Sequence, residues 1–325
     1  MEQALYDPQY GFYSRGPAIG AEHGPFHTNA RYLLFAQAIA QAVERAESHL
    51  GESLRIVEFG GGTGELGAHV LSFLSKPHEY VIVERSEGFR RSQQRRGLHA
   101  VADVAELQAA PSFIFANEVL DAFPVHRVVG GADHTIEELY VALDNHGEFI
   151  EVLGPLSTAR LAERLARERV SLGRGQIAEV NLELEPFLSA VKSILPHGYF
   201  VCIDYGDSAA QLYHYTCRNG TLRCYHQQRR VHDPFDRIGE QDLTADVDFT
   251  ALSFSAQKVG LVSAGRAFQG EWLQALLPTT TLDSFSQLHP DEDPHHLISP
   301  ARLGSAFQVL AFKTPLLPQA PGFVE

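Results

Sequence analysis

The chain has 325 residues and is 44% hydrophobic, enough for one large domain or for a domain with a sizeable elaboration. Forty acids against 26 Lys and Arg leave a formal charge of −14, the wrong sign for a protein that grips a nucleic-acid backbone. No stretch approaches the roughly 18 apolar residues of a membrane span, and three cysteines with no C-x-x-C pair indicate neither a disulfide framework nor a zinc site.

Residues 1–28 are rich in Tyr, Gly and Pro without a steady period and read as a structured loop. They hold neither a signal-peptide apolar region nor an Arg-rich transit pattern, so the cytoplasm is the expected compartment. An Ala-rich helix follows from about Asn29 to Ser48, with Leu33, Ile39, Val43 and Ala46 at helical spacing. A strand at 55–59, a helix at 65–75 and a strand at 80–83 come next. Then come a helix near 88–97, whose Arg90, Arg91, Arg95 and Arg96 make a solvated face, and strands near 100–102 and 113–116. Two strand-like runs, 138–143 and 148–153, are joined by Asp144-Asn145-His146-Gly147, a hairpin signal. A charged helix at 157–169 and a helix at 182–194 lead to Tyr199-Phe200-Val201-Cys202-Ile203, a run suited to a central buried strand.

Residues 207–239 are irregular, and long enough to suggest function rather than mere connection. A helix at 248–258, a strand at 261–267, a short helix from Gln269 and a last strand at 305–313 follow. Strands alternating with helices give a doubly wound α/β sheet. The expected organisation is an N-terminal loop and helix (1–50) covering a cofactor site and two core halves (51–129 and 181–314, the second with a long loop at 207–240). An inserted hairpin and helix (130–180) acts as a lid, and a tail at 315–325 frays.

The most informative stretch is Arg55 to Gly64, Arg-Ile-Val-Glu-Phe-Gly-Gly-Gly-Thr-Gly. A short apolar strand carries an acid, Glu58, and runs into a loop with Gly60, Gly62 and Gly64 before a helix opens at Glu65. Without side chains, such a bend lets backbone N–H groups approach a ligand closely at a helix N-terminus. The next strand ends in Glu84, spaced from the loop as the acid that binds a cofactor's ribose hydroxyls. This is the signature of a nucleoside-cofactor site. The dinucleotide fingerprint fails in the register adjoining the strand, because Glu65 stands at its third glycine. Gly62, Gly64 and Gly67 satisfy the pattern three residues later, which keeps nicotinamide and flavin cofactors open.

Other candidates stand at the ends of later strands, where ligands of such sheets bind. Asn117-Glu118 ends the fourth strand, Asp204-Tyr205-Gly206 the fifth, and Asp103-Val104 follow the third, placed for an adenine ring.

Glu58 followed by G-x-G-x-G resembles the first motif of class I S-adenosylmethionine-dependent methyltransferases. Further motifs narrow the resemblance to the MidA-type family, which includes the mitochondrial complex I assembly methyltransferase that modifies an arginine. They are Tyr10-Gly11-Phe12-Tyr13-Ser14, Gly24-Pro25-Phe26-His27-Thr28, Val83-Glu84-Arg85-Ser86, Asn117-Glu118, Asp121-Ala122-Phe123-Pro124, Asp204-Tyr205-Gly206, Gly220-Thr221-Leu222-Arg223 and the run from Gly239 to Phe249. Two positions depart: the family commonly has an acid where Pro25 stands and His where Asp246 stands. The resemblance implies a seven-stranded sheet with an antiparallel final hairpin, and S-adenosyl-L-methionine as cofactor. It implies a protein substrate methylated on arginine, with no metal. It assigns Phe26, Thr28, Glu58, Gly60, Gly62, Gly64, Glu84, Asp103, Val104 and Asn117 to the cofactor, and Glu118, Asp204 and Asp242 to catalysis. A small-molecule methyltransferase on the same core and a non-catalytic assembly factor are the alternatives.

Overall fold

In the computed structural model, which describes residues 1–16, 28–227 and 229–323, the strands fall into two sheets of consequence and two small ribbons. In chain order the first strands are β1 (Arg55–Phe59), β2 (Tyr80–Val83), β3 (His99–Val101) and β4 (Ser112–Asn117). Then come β5 (His126–Gly130), β6 (Ile136–Leu143), β7 (Phe149–Gly154) and β8 (Ile177–Val180). After these lie β9 (Gly198–Asp204), β10 (Gly206–Asp207), β11 (Arg223–His226) and β12 (Arg229–Val231). The last are β13 (Asp242–Thr244), β14 (Val247–Asp248), β15 (Val262–Phe268) and β16 (Gln308–Lys313).

The main sheet has seven strands in the order β15-β16-β9-β4-β1-β2-β3. β1 runs parallel to β2 and β4, and β4 to β9, while β16 is antiparallel to both β9 and β15. The doubly wound sheet with an antiparallel final hairpin is therefore as expected. Its central strands are buried on both faces, and side chains at period two alternate between them. Ile56, Phe113, Phe115, Tyr199 and Val201 point to one core, where the Leu33–Leu50 helix, the Glu65–Phe73 helix and Trp272 cover them. Val57, Ile114, Ala116, Phe200 and Cys202 point to the other, under the Leu184–Ile194 and Phe249–Lys258 helices.

The insertion is larger than a hairpin and a helix. β5 to β8 make a separate antiparallel sheet, ordered β7-β6-β5-β8, over a small core with Val128, Leu161, Leu165 and Val180. The irregular 207–239 region holds β11 and β12, which join β13 in a three-stranded ribbon. Helices at Thr279–Leu288 and His295–Ile298 complete the segment before β16. The tail, expected to fray, packs against the core at Ala320 and Pro321. Ala320 is buried and its N–H donates to the Ala264 carbonyl at 3.0 Å, while Trp272 Nε1 donates to the Pro321 carbonyl at 3.1 Å.

Candidate active site

The loop after β1 is built from left-handed backbone, with φ of 66° at Gly60, 50° at Gly62 and 81° at Gly64. At Gly60 a Cβ would lie 2.8 Å from Val119, and at Gly64 it would press on Leu98 and Gln93, so these two are held by protein packing. At Gly62 a Cβ would meet no atom of the described residues within 4 Å, and this residue lines a cavity of about 1290 Å³. Gly64 turns the chain into the Glu65–Phe73 helix and stays off the cavity wall, whereas Gly60, Gly61 and Gly62 form it.

Two acids stand beside the loop. Glu84 accepts from the Gly62 N–H at 3.2 Å with one oxygen and from the Ser86 N–H at 2.9 Å with the other. Glu58 accepts from the Tyr80 hydroxyl at 2.8 Å. Burial pushes both carboxyls up to about 7, and the charge of Glu84 adds to the shift at Glu58.

Asn117 and Glu118 form another part of the wall. Glu118 has a φ of 52°, a backbone strain of roughly 1–3 kcal/mol for a residue with a Cβ. Its N–H donates to the Ile203 carbonyl at 2.9 Å, which ties the turn to β9. Its Oε1 accepts three hydrogen bonds: from Thr28 Oγ1 at 2.5 Å, the Asn29 N–H at 3.2 Å and Asn117 Nδ2 at 3.3 Å. Oε2 has no partner among the described residues. Burial raises this carboxyl to about 7, with the hydrogen bond from Thr28 opposing. Asn117 Oδ1 is buried and also lacks a partner.

The other two expected catalytic acids lie behind this wall. Asp204 is fully buried, and its oxygens accept from the N–H groups of Leu120 at 3.0 Å, Asp121 at 3.3 Å and Tyr205 at 2.9 Å. Asp242 accepts from the Tyr13 hydroxyl at 2.8 Å, and Asp121 from the Tyr205 hydroxyl. Neither Asp204 nor Asp242 reaches the cavity. Asp204 braces the turn that carries Glu118, and Asp242 fastens the N-terminal segment. Burial raises Asp204 well above the carboxylate range and Asp242 to about 7, the charge of Asp121 reinforcing both.

Asp103 departs from its expected role: its exposed carboxylate caps its own turn by accepting from the Ala105 N–H at 2.8 Å. Val104 packs against the second core, and Ala102 lines the cavity in their place. Thr28 is on the wall, tied to Glu118; Phe26 lies outside the described residues. Among the described residues, none between 126 and 180 lines the cavity. Sequence reasoning passed over an aromatic wall. Phe187 meets Phe59 edge-on at 5.0 Å and Phe123 at 5.3 Å, a role hidden in a helix whose apolar spacing signalled only core. Tyr6, with Arg85 over its ring, closes another side.

These residues fit a nucleoside cofactor. Gly62 opens onto free space, Glu84 stands beside it as an acceptor for sugar hydroxyls, and Asn117 leaves a buried oxygen unpaired on the same wall. Residues 34–267 match the model of the family described as "Putative S-adenosyl-L-methionine-dependent methyltransferase". A COG1565 superfamily member from Burkholderia thailandensis, crystallised with S-adenosyl-homocysteine, superposes with a TM-score of 0.88 at 28% identity. That alignment covers 100% of this chain and 89% of the other. The chain is also 25% identical to "Protein arginine methyltransferase NDUFAF7 homolog, mitochondrial" of Drosophila melanogaster, over 96% of this chain and 79% of the relative. The Caenorhabditis elegans protein of the same name is 25% identical over 82% of this chain and 68% of its own length.

Proposed function

This chain belongs to that family of S-adenosyl-L-methionine-dependent methyltransferases, and we propose that it methylates a side-chain nitrogen of arginine in a partner protein. The names of the fly and nematode relatives support the acceptor, and one observation at the site carries it: the asymmetry of Glu118. Three donors hold Oε1, while Oε2 has no partner among the described residues and belongs to a side chain on the cavity wall. A free carboxylate oxygen is an acceptor. An arginine side chain is an array of five N–H donors with no acceptor, so it complements that oxygen.

The backbone of Gly60 to Gly62 and the carboxylate of Glu84 would hold the cofactor, which supplies a methyl group activated on sulfonium sulfur. The chain's own task is then to bring a guanidinium nitrogen into line and hold it there. Glu118 orients that group through Oε2. A carboxyl raised to about 7 is a stronger base than an ordinary glutamate, so Oε2 is suited to receive the proton the nitrogen sheds. The aromatic wall of Phe59, Phe123 and Phe187 excludes water.

Glu118→Gln keeps the shape of the side chain and removes the charge. The variant should bind S-adenosylhomocysteine like the parent in calorimetry. It should lose roughly 100-fold or more of the transfer of labelled methyl into protein, the contribution of a positioned acid–base group. Labelling equal to the parent's would remove Glu118 from the reaction, and label in the low-molecular-weight filtrate would point to a small-molecule acceptor.

A further inference from the structure

The sheet of the insertion ends in an open edge. β7 pairs with β6 on one side only, and every residue from Phe149 to Leu153 is exposed. Seven of the 15 large hydrophobic side chains exposed among the described residues lie between Tyr140 and Leu153, in this one hairpin. Val141 is 60% exposed, Leu143 61% and Leu153 53%. Sheet edges that stand alone in water are blunted by lysine, proline, a bulge or a free charge. β7, Phe-Ile-Glu-Val-Leu-Gly, has no lysine, proline or bulge. Its single charge, Glu151, is bound by Arg127 on β5, which also reaches Glu179 at 3.2 Å. No backbone hydrogen bond outside the β6 pairing involves residues 149–154 among the described residues.

The order of residues on this edge says what it fits. Around Glu151 the strand is symmetric in character, with Ile150 and Val152 flanking it and Phe149 and Leu153 beyond. Antiparallel pairing of two such strands about Glu151 would set Phe149 against Leu153 and Ile150 against Val152, apolar pairs on both faces. The two glutamates that would meet at the centre are each held by their own Arg127. We infer that the occupant is a second copy of this chain. The two β7 strands join edge to edge, and two four-stranded sheets become one of eight. This surface lies away from the cavity, since no described insertion residue lines it, and the inference does not depend on the methyl acceptor.

Sedimentation equilibrium of the full chain at micromolar concentration should give twice the 35.9 kDa of the monomer. Ile150→Lys with Val152→Lys should return the mass to that of one chain without changing the circular dichroism spectrum. A monomeric parent, or a dimer that survives the double lysine variant, would overturn the inference. Register gives an independent check. Directly paired antiparallel residues sit about 4.5–5.5 Å apart at Cα, within disulfide reach. In a Cys217→Ser background, Glu151→Cys should therefore cross-link to itself under mild oxidation, while Phe149→Cys, which faces Leu153, should not. Cross-linking equally efficient at both positions, or at neither, would also contradict it.

Discussion

Glu84 and Glu118 have the same side chain, and both are pushed to about 7 by burial, but their oxygens are engaged differently. Glu84 uses both on backbone N–H groups, one of them in the glycine loop, whereas Glu118 keeps one free. Removing Glu84 should therefore act on the cofactor rather than on the acceptor. Glu84→Ala is expected to weaken S-adenosylmethionine binding roughly 10–100-fold, the worth of about one charged hydrogen bond. Undiminished affinity in calorimetry would take Glu84 out of the cofactor site. The loop and Glu84 were legible in the sequence because their meaning lies in local spacing, strand to bend to helix to acid. Asp204 and Asp242 were not. A strand-end acid reads the same whether it faces a cavity or is consumed by N–H groups, and those that occupy Asp204 include Leu120, 84 residues away. Asp103 illustrates the converse, an acid at the right strand end whose carboxylate is spent on its own turn.

Among the elements, the short pairing of β10 with β14 follows directly on the strand that carries Asp204 and joins it to the chain leaving Asp242. Gly206 permits it: φ is 151°, and a Cβ there would lie 2.1 Å from the Val247 carbonyl oxygen. Gly206→Ala should destabilise the fold by roughly 2–4 kcal/mol, since backbone must move as well as strain. Gly51→Ala, also at positive φ but with no neighbour within 4 Å, should cost only about 1 kcal/mol. Thermal unfolding of the two variants separates these cases, and equal losses would refute the packing argument. The core strands were legible because each alternates between two apolar faces. The β6–β7 hairpin was legible from its turn. Strands β5 and β8 were not, having five and four residues and pairing Arg127 with Glu179 across a long stretch of sequence. The tail was misread because prolines signal an end to regular structure and say nothing of packing on Trp272.

For the molecule as a whole, the site is built at the cost of burying acids. Glu58, Glu84, Glu118 and Asp242 each titrate near 7 in the folded chain, above the range of an unfolded carboxylate. The folded state therefore holds more protons than the unfolded state between about pH 4.5 and 7, and stability must fall as pH rises through that window. The melting temperature without cofactor should be higher at pH 5.5 than at pH 7.5, and the difference should shrink in Glu118→Gln; a rise with pH would contradict the burial of these acids. Three of them, Glu58, Glu84 and Glu118, line the cavity and give it its acceptor character, so a stability cost and the capacity to hold a cationic acceptor share one origin. That capacity, in the function proposed above, serves arginine. Methyl-labelled S-adenosylmethionine, incubated with the enzyme and a cell extract, tests it when the labelled protein fraction is hydrolysed to amino acids. Label should co-migrate with methylarginine and be nearly absent with Glu118→Gln; label confined to small molecules, or to any other amino acid, would rule out arginine as the acceptor.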